Sequence, residues 1–383
     1  MTYWLASSSP PHSPVTNQPN ATLMPTQTPT SAPLTAPRPH LSFLNRFLPV
    51  WILLAMGIGL ALGHWAPEFT KGLNAASIGS ISLPIAIGLI VMMYPPLAKV
   101  RFEKARKIAA DKRLMTVSLI LNWIIGPAIM FAFAWIFLAD QPGLRTGVII
   151  VGLARCIAMV LVWSDLACAD NEATAVLVAI NSIFQLLMFS VLGWFYLQLL
   201  PGVLGLDTAS ADFSFWAIAR SVLVFLGIPL VLGIASRIIG EKTRGQQWYE
   251  QNFLPKISPL ALIGLLYTIV VLFSLQGENI LAQPGAVARV ALPLLAYFIT
   301  MFAIGLVSSK AAGMNYEDSA SVSFTATGNN FELAIAVAIG TFGATSPQAL
   351  AGTIGPLIEI PVLVGLVYVM LWLRPRLFHS SAA

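Results

Sequence analysis

Charge is what this sequence has least of: Asp, Glu, Lys and Arg make up 10% of 383 residues, against about 25% in an ordinary soluble domain. A chain so poor in charge cannot dress a water-facing surface, which excludes a cytosolic enzyme, a nucleic-acid-binding domain and a disordered regulator. Cysteine is nearly absent too. Cys156 and Cys168 are too few for a disulfide framework. The four histidines, His12, His40, His64 and His379, fall in the N-terminal stretch, at the edge of an apolar run or near the C-terminus. A Cys–His nucleophile pair inside a membrane is therefore not on offer. No HExxH, GxxxxGK[ST] or zinc-spaced Cys/His cluster occurs. An enzyme is not expected, no cofactor or metal is called for, and transport would have to run on an ion gradient.

What is plentiful is apolar surface: 57% of the side chains, with a mean hydropathy of +0.79. The first 40 residues differ. They carry nine prolines, many Ser and Thr, and one charge, Arg38, so residues 1–41 read as a disordered Pro/Ser/Thr-rich tail. From Phe47 onward ten apolar stretches recur, near 47–66, 80–98, 114–138, 146–165, 173–199, 214–236, 254–275, 285–308, 319–341 and 348–373. Each suffices to cross about 30 Å of hydrocarbon as a helix, and none alternates as a barrel strand would. The fold class expected is an all-α membrane protein with a ten-helix domain over 42–378.

Sixteen of the 21 Lys and Arg residues fall on the side of the tail, including seven in Lys99–Arg113, so both termini are expected in the cytoplasm. The basic excess thus marks loops and calls for no nucleic-acid partner. Lys99–Arg113 interleaves its charges with Val100, Phe102, Ala105, Ile108 and Ala109, the rhythm of an interfacial helix lying on lipid.

A faint duplication is present. Ser82-Leu83-Pro84 with Gly88 recurs, 176 residues later, as Ser258-Pro259-Leu260 with Gly264. Five spans per half, roughly 42–205 and 206–378, force the second copy upside-down. That is the inverted-repeat plan of secondary transporters, in which broken helices, here spans 4 and 9, cross near mid-membrane around the substrate.

Those two spans carry the chemistry. Polar groups deep in hydrocarbon cost several kcal/mol for a charge, so those that persist are functional candidates. Span 4 sets Arg155 beside Cys156; span 9 carries Thr325-Ala326-Thr327-Gly328-Asn329-Asn330-Phe331-Glu332. Ser321, Thr325, Asn329 and Glu332 step by four, four and three, which predicts one helical face. Gly328 and two asparagines also mark a place where the helix can unwind. Arg155 could instead form an inert buried pair with Glu332, Glu359 or Asp165. A thiol beside a cation and facing a carboxyl is a soft ligand next to a proton carrier, whereas Cys168, among Asp165, Asp170 and Glu172, is expected to be dispensable.

The runs GLARCIAMVLVW (Gly152–Trp163), GNNFELAIAVAIGTFG (Gly328–Gly343), GPLIEIPVLVGLVYV (Gly355–Val369) and IGLIVMMYPPLAKV (Ile87–Val100) resemble the ten-span arsenical-resistance permeases of the bile acid, arsenite and riboflavin transporter superfamily. The resemblance covers about residues 42–378. It implies arsenite efflux across the plasma (inner) membrane in exchange for protons, with transport depending on Cys156 and Glu332. Ser164 stands where many such permeases have Asn.

The chemistry agrees, since As(OH)3 is thiophilic and one thiol holds it loosely enough for turnover. The expected substrate site is Cys156, Glu332, Asn329, Asn330 and Arg155, with Glu332 as proton-coupling group. The expected partners are arsenite, with antimonite left open, protons and membrane lipid. Two alternatives stay open: a sodium-coupled organic-anion symporter of the same superfamily, and a metalloid sensor that binds without transport.

Overall fold

The computed structural model describes residues 47–78, 81–100, 110–207 and 214–378. The tail over 1–41 and most of the expected interfacial helix, 101–109, lie outside the described residues.

The apolar runs fold as helices whose ends are set by caps and prolines. The first helices are α1 (Leu48–Trp65), α2 (Pro67–Ala75), α3 (Leu83–Ala98), α4 (Lys112–Leu138), α5 (Pro142–Leu153), α6 (Met159–Leu166) and α7 (Asn171–Val203). They are followed by α8 (Phe215–Arg244), α9 (Leu254–Ala282), α10 (Pro284–Ala311), α11 (Tyr316–Thr327), α12 (Phe331–Phe342) and α13 (Pro347–Leu377). A two-residue hairpin, Ser77–Ile78 with Ile81–Ser82, precedes α3 and is a small departure from the all-helical expectation.

Side chains at the helix starts accept the first free N–H groups: Asp111 from Arg113 and Leu114, Asp170 from Glu172 and Ala173, Asn315 from Asp318, Ser346 from Ala349. Four π turns, Leu121–Ile125, Phe195–Leu199, Leu223–Gly227 and Tyr249–Phe253, each stop two residues before a proline, namely Pro127, Pro201, Pro229 and Pro255. Proline donates no N–H and crowds the carbonyl four residues back, and a widened turn just ahead of it relieves both problems without ending the helix.

Seven of these helices are long and apolar enough to cross a membrane, with α3, α5 and α12 as shorter apolar helices. Their outward faces carry Leu53, Leu54, Ile124, Ile136, Leu187 and Leu232, all exposed, the surface a lipid-embedded bundle presents. The chain is an all-helical membrane protein in this sense.

The helices form two groups. One packs α1 and α3 on α9, and α3 on α8; the other packs α4 and α13 on α5, α10 on α11 and α13, and α12 on α13. In the first group α3 and α9 cross at two glycines. A Cβ on Gly264 would lie 2.6 Å from Met92 N, and one on Gly88 would collide with Thr268, so neither helix tolerates a side chain there.

Candidate functional site

Polar residues concentrate in the second group, where two helices are interrupted. Between α5 and α6 the chain leaves helical geometry over residues 154–158; between α11 and α12 it does so over 328–330. Such gaps release backbone groups that lipid cannot satisfy. Here the two gaps satisfy each other. Arg155 and Asn329 form an antiparallel bridge, Cys156 N donates to Gly328 O at 3.2 Å, and Asn330 N donates to Ala154 O at 3.1 Å.

Two half-helix C-termini, of α5 and α11, meet this crossing, and their free carbonyls are taken by side chains. Asn329 Nδ2 donates to Val151 O at 2.7 Å and Ala154 O at 3.2 Å. Arg155 donates from Nη2 to Gly152 O, and from Nη1 to Ala326 O at 3.4 Å and Tyr297 Oη at 2.8 Å. Its backbone N–H donates to Gln185 Oε1 on α7. Arg155 is fully buried, and among the described residues no carboxylate lies within ion-pair distance of it. The alternative of an inert pair with Glu332, Glu359 or Asp165 is thereby corrected: carbonyls and a phenol hold the guanidinium.

Two half-helix N-termini, of α6 and α12, meet it as well. The Cys156 sulfur accepts from Val160 N at 3.3 Å in the first turn of α6. Asn330 Oδ1 caps α12 by accepting from Leu333 N at 3.0 Å. The thiol packs on Gly328, where an added Cβ would stand 3.0 Å from Cys156 Cβ and 3.6 Å from Sγ. Glu332 lies in the first turn of α12 and is nine-tenths buried. Glu359, on α13, accepts from Asn329 N at 3.4 Å. Three buried polar atoms here lack a partner, Arg155 Nε, Asn329 Oδ1 and Gln185 Nε2.

All five residues singled out in the sequence, Arg155, Cys156, Asn329, Asn330 and Glu332, thus sit at or beside one crossing. The continuous helical face from Ser321 to Glu332 does not exist. The helix stops at Thr327, so Asn329 and Glu332 leave the face of Ser321 and Thr325, whose hydroxyls donate to Glu317 O and Ser321 O inside α11. Glu359, Tyr297 and Gln185 were not expected as site residues. Of these, Glu359 had a signal, being the one acid within the 31-residue α13.

A cleft of about 610 Å³ opens between α1, α3 and α9 of the first group and the helices α6 and α7. Leu48, Pro96 and Leu262 line it from one side, and Val162, Ala175 and Val176 from the other. Ala158 and Met159, two and three residues past Cys156, line it too. Polar groups of the cleft are Lys99, Asp165, Asn171, Glu172 and Ser258, with Asn171 Nδ2 donating to Asp165 Oδ1 at 2.8 Å.

The sequence signature of the Sodium Bile acid symporter family matches residues 86–283. The arsenical-resistance protein Acr3 of Corynebacterium glutamicum is 70% identical over 342 residues, 89% of this chain and 92% of that protein. Acr3 of Alkaliphilus metalliredigens is 31% identical over 339 residues, 85% of this chain and 92% of its own. An uncharacterized transporter of Synechocystis sp. is 35% identical over 346 residues, 85% of this chain and 88% of its own. With crossed half-helices at its centre and these relatives along nearly its whole apolar length, the chain belongs to the sodium bile acid symporter family of membrane transporters, in its arsenical-resistance Acr3 group.

Proposed function

We propose that the chain is a secondary transporter that exports arsenite from the cytoplasm in exchange for protons. The observation that carries this reading is a buried thiol at a half-helix N-terminus, packed on Gly328 of the second gap and two residues from the lining of an open cleft. Uncharged As(OH)3 reaching Cys156 exchanges one hydroxyl for the thiol, giving a sulfur–arsenic bond and one water. The arsenic keeps two hydroxyls. One can donate to Asn329 Oδ1 and one can accept from Arg155 Nε, two of the atoms left without partners. Asn330 and Glu332 border the same position, and Glu332 carries the exchanged proton. One thiol in place of three keeps the complex reversible, as turnover requires.

The same reading takes the seven long helices with the three shorter ones, α5 running into α6 and α11 into α12, as ten crossings in two inverted repeats. Contacts that repeat at closely similar offsets support it. Shifted by 174 residues, the Cys156–Gly328 bond becomes Asn330–Ala154. Shifted by 176, the Gly88–Thr268 approach becomes Gly264–Met92. With both termini cytoplasmic in the inner membrane, the Asp165–Glu172 end of the cleft faces the cytoplasm, so this is the inward-open state that loads arsenite.

Inside-out vesicles test it. Arsenite uptake is expected to need an acidic lumen, to collapse when the pH gradient is dissipated, and to be lost in Cys156→Ser and Glu332→Gln. Full uptake by Cys156→Ser would reject the thiol's role. The family's description favours one other reading, sodium-coupled anion symport; it predicts a sodium requirement and survival without Cys156. A binding protein that does not transport would take up nothing in liposomes.

A further inference from the structure

The partners of Arg155 describe a cation site already filled. Its guanidinium is held by three oxygens: Gly152 O, Ala326 O and Tyr297 Oη. Gly152 and Ala326 are each the penultimate residue of a half-helix, α5 and α11, and they correspond under the 174-residue offset. A helix C-terminus carries roughly half a negative charge, so two converging ends supply about one, the amount that balances one monovalent cation. Broken helices of transporters use such C-terminal carbonyls to coordinate the coupling ion.

The cage is also shaped around the guanidinium. A Cβ on Gly126 of α4 would lie 2.9 Å from Arg155 Nη1, 3.0 Å from Leu121 O and 3.2 Å from Tyr297 Oη. Three other arginines are balanced differently. Arg237 also donates to helix-end carbonyls, of Ala98 and Lys99, but has Glu241 at 2.8 Å and Glu250 at 3.1 Å. Arg374 has Glu317 at 3.0 Å, and Arg289 pairs with Asp140. Arg155 is held by two carbonyl ends and a phenol, with no carboxylate among the described residues at ion-pair distance.

We propose that the Arg155 guanidinium is a tethered monovalent cation occupying an alkali-cation site built from the C-termini of α5 and α11. The site is filled by the chain's own charge, and the protein is therefore independent of sodium. Removal of the side chain converts the cage into a site for a small free cation, sodium or guanidinium, while choline is too large to enter. This rests on the transporter reading only for its consequence in coupling, because the cage itself can be assayed without arsenite.

Thermal unfolding of the purified full chain is measured in sodium chloride, dilute guanidinium chloride and choline chloride at equal ionic strength. The native chain is expected to unfold at the same temperature in all three. Arg155→Ala is expected to unfold lower in choline and to recover by about 5 °C in sodium or guanidinium. Arg155→Ala indifferent to the cation, or a native chain stabilised by sodium as strongly as the variant, overturns the proposal. Where Arg155→Ala folds in no salt, Arg155→Lys decides. Lysine keeps the charge, so it is expected to fold in choline, and its loss as well overturns the proposal. Loss of arsenite transport with the salt pattern intact would remove the functional reading and leave the cage standing.

Discussion

The two interrupted helices perform the same backbone task with different side chains. Each stops after a half-helix of twelve residues, runs extended past the other, and restarts. The gap of 154–158 brings a cation and a sulfur atom; the gap of 328–330 brings two amides and, one turn on, a carboxyl. Asn329 reaches across to the carbonyl end of α5, while Arg155 reaches across to the carbonyl end of α11. Near-symmetry of the backbone therefore accompanies asymmetry of chemistry: one gap carries a guanidinium and a thiol, the other two amides and a carboxyl. A symmetric scaffold with an asymmetric lining can hold one ligand while its two halves rock.

The sharpest way to break the comparison is to move the sulfur. Cys156→Ser is expected to lower initial arsenite uptake by about 100-fold, or about 2.7 kcal/mol of barrier, with little change in unfolding temperature. Adding Asn330→Cys, the offset-related position, is expected to restore none of it. Recovery would mean that the two gaps are interchangeable.

A wedge between the gaps comes next. Gly328→Ala places a methyl 3.0 Å from Cys156 Cβ, and overpacking of this kind costs about 1–3 kcal/mol, read as a lowered unfolding temperature together with weakened uptake. Unchanged stability and uptake would show that the gaps do not need to touch.

The two asparagines should then differ. Asn329→Ala removes both side-chain bonds to the carbonyls of Val151 and Ala154, which keep only their backbone donors Ala154 N and Asn330 N, for about 2 kcal/mol. Asn330→Ala removes a single helix cap, for about 1 kcal/mol. Equal losses by thermal or denaturant unfolding would contradict the division of labour between them.

The smallest effect lies at the far end of α6. Cys168 has φ +55°, and the turn closes with Cys168 N donating to Asp165 O and Ala169 N to Ser164 O, a Schellman ending with cysteine where glycine is usual. Cys168→Gly is expected to raise stability by about 0.5–1 kcal/mol and leave uptake unchanged. Lost uptake would give the second thiol a role.

How much of this was legible in the chain varies residue by residue. The gap in α11–α12 was announced by Gly328-Asn329-Asn330, since glycine and asparagine weaken a helix locally. The gap in α5–α6 contains no glycine or proline between 154 and 158; only a charge amid apolar residues marked it. The spacing of Ser321, Thr325, Asn329 and Glu332 misled, because periodicity assumes a continuous helix and says nothing of where one stops. The π turns were hidden for a related reason: each proline advertised trouble, but whether a helix ends, kinks or widens depends on what packs against it.

By itself the sequence determined the solvent, the number of apolar stretches and the handful of polar side chains too expensive to keep in lipid without purpose. Those are properties of composition and local spacing, which transfer free energy reads directly. Only the tertiary structure decided that residues 171 to 178 positions apart complete each other's hydrogen bonds, that Arg155 answers to carbonyls and a phenol in place of carboxylates, and that the thiol lies two residues from the lining of an open cleft. A backbone group freed by a break must find its partner wherever the fold brings one, and no local pattern encodes that choice.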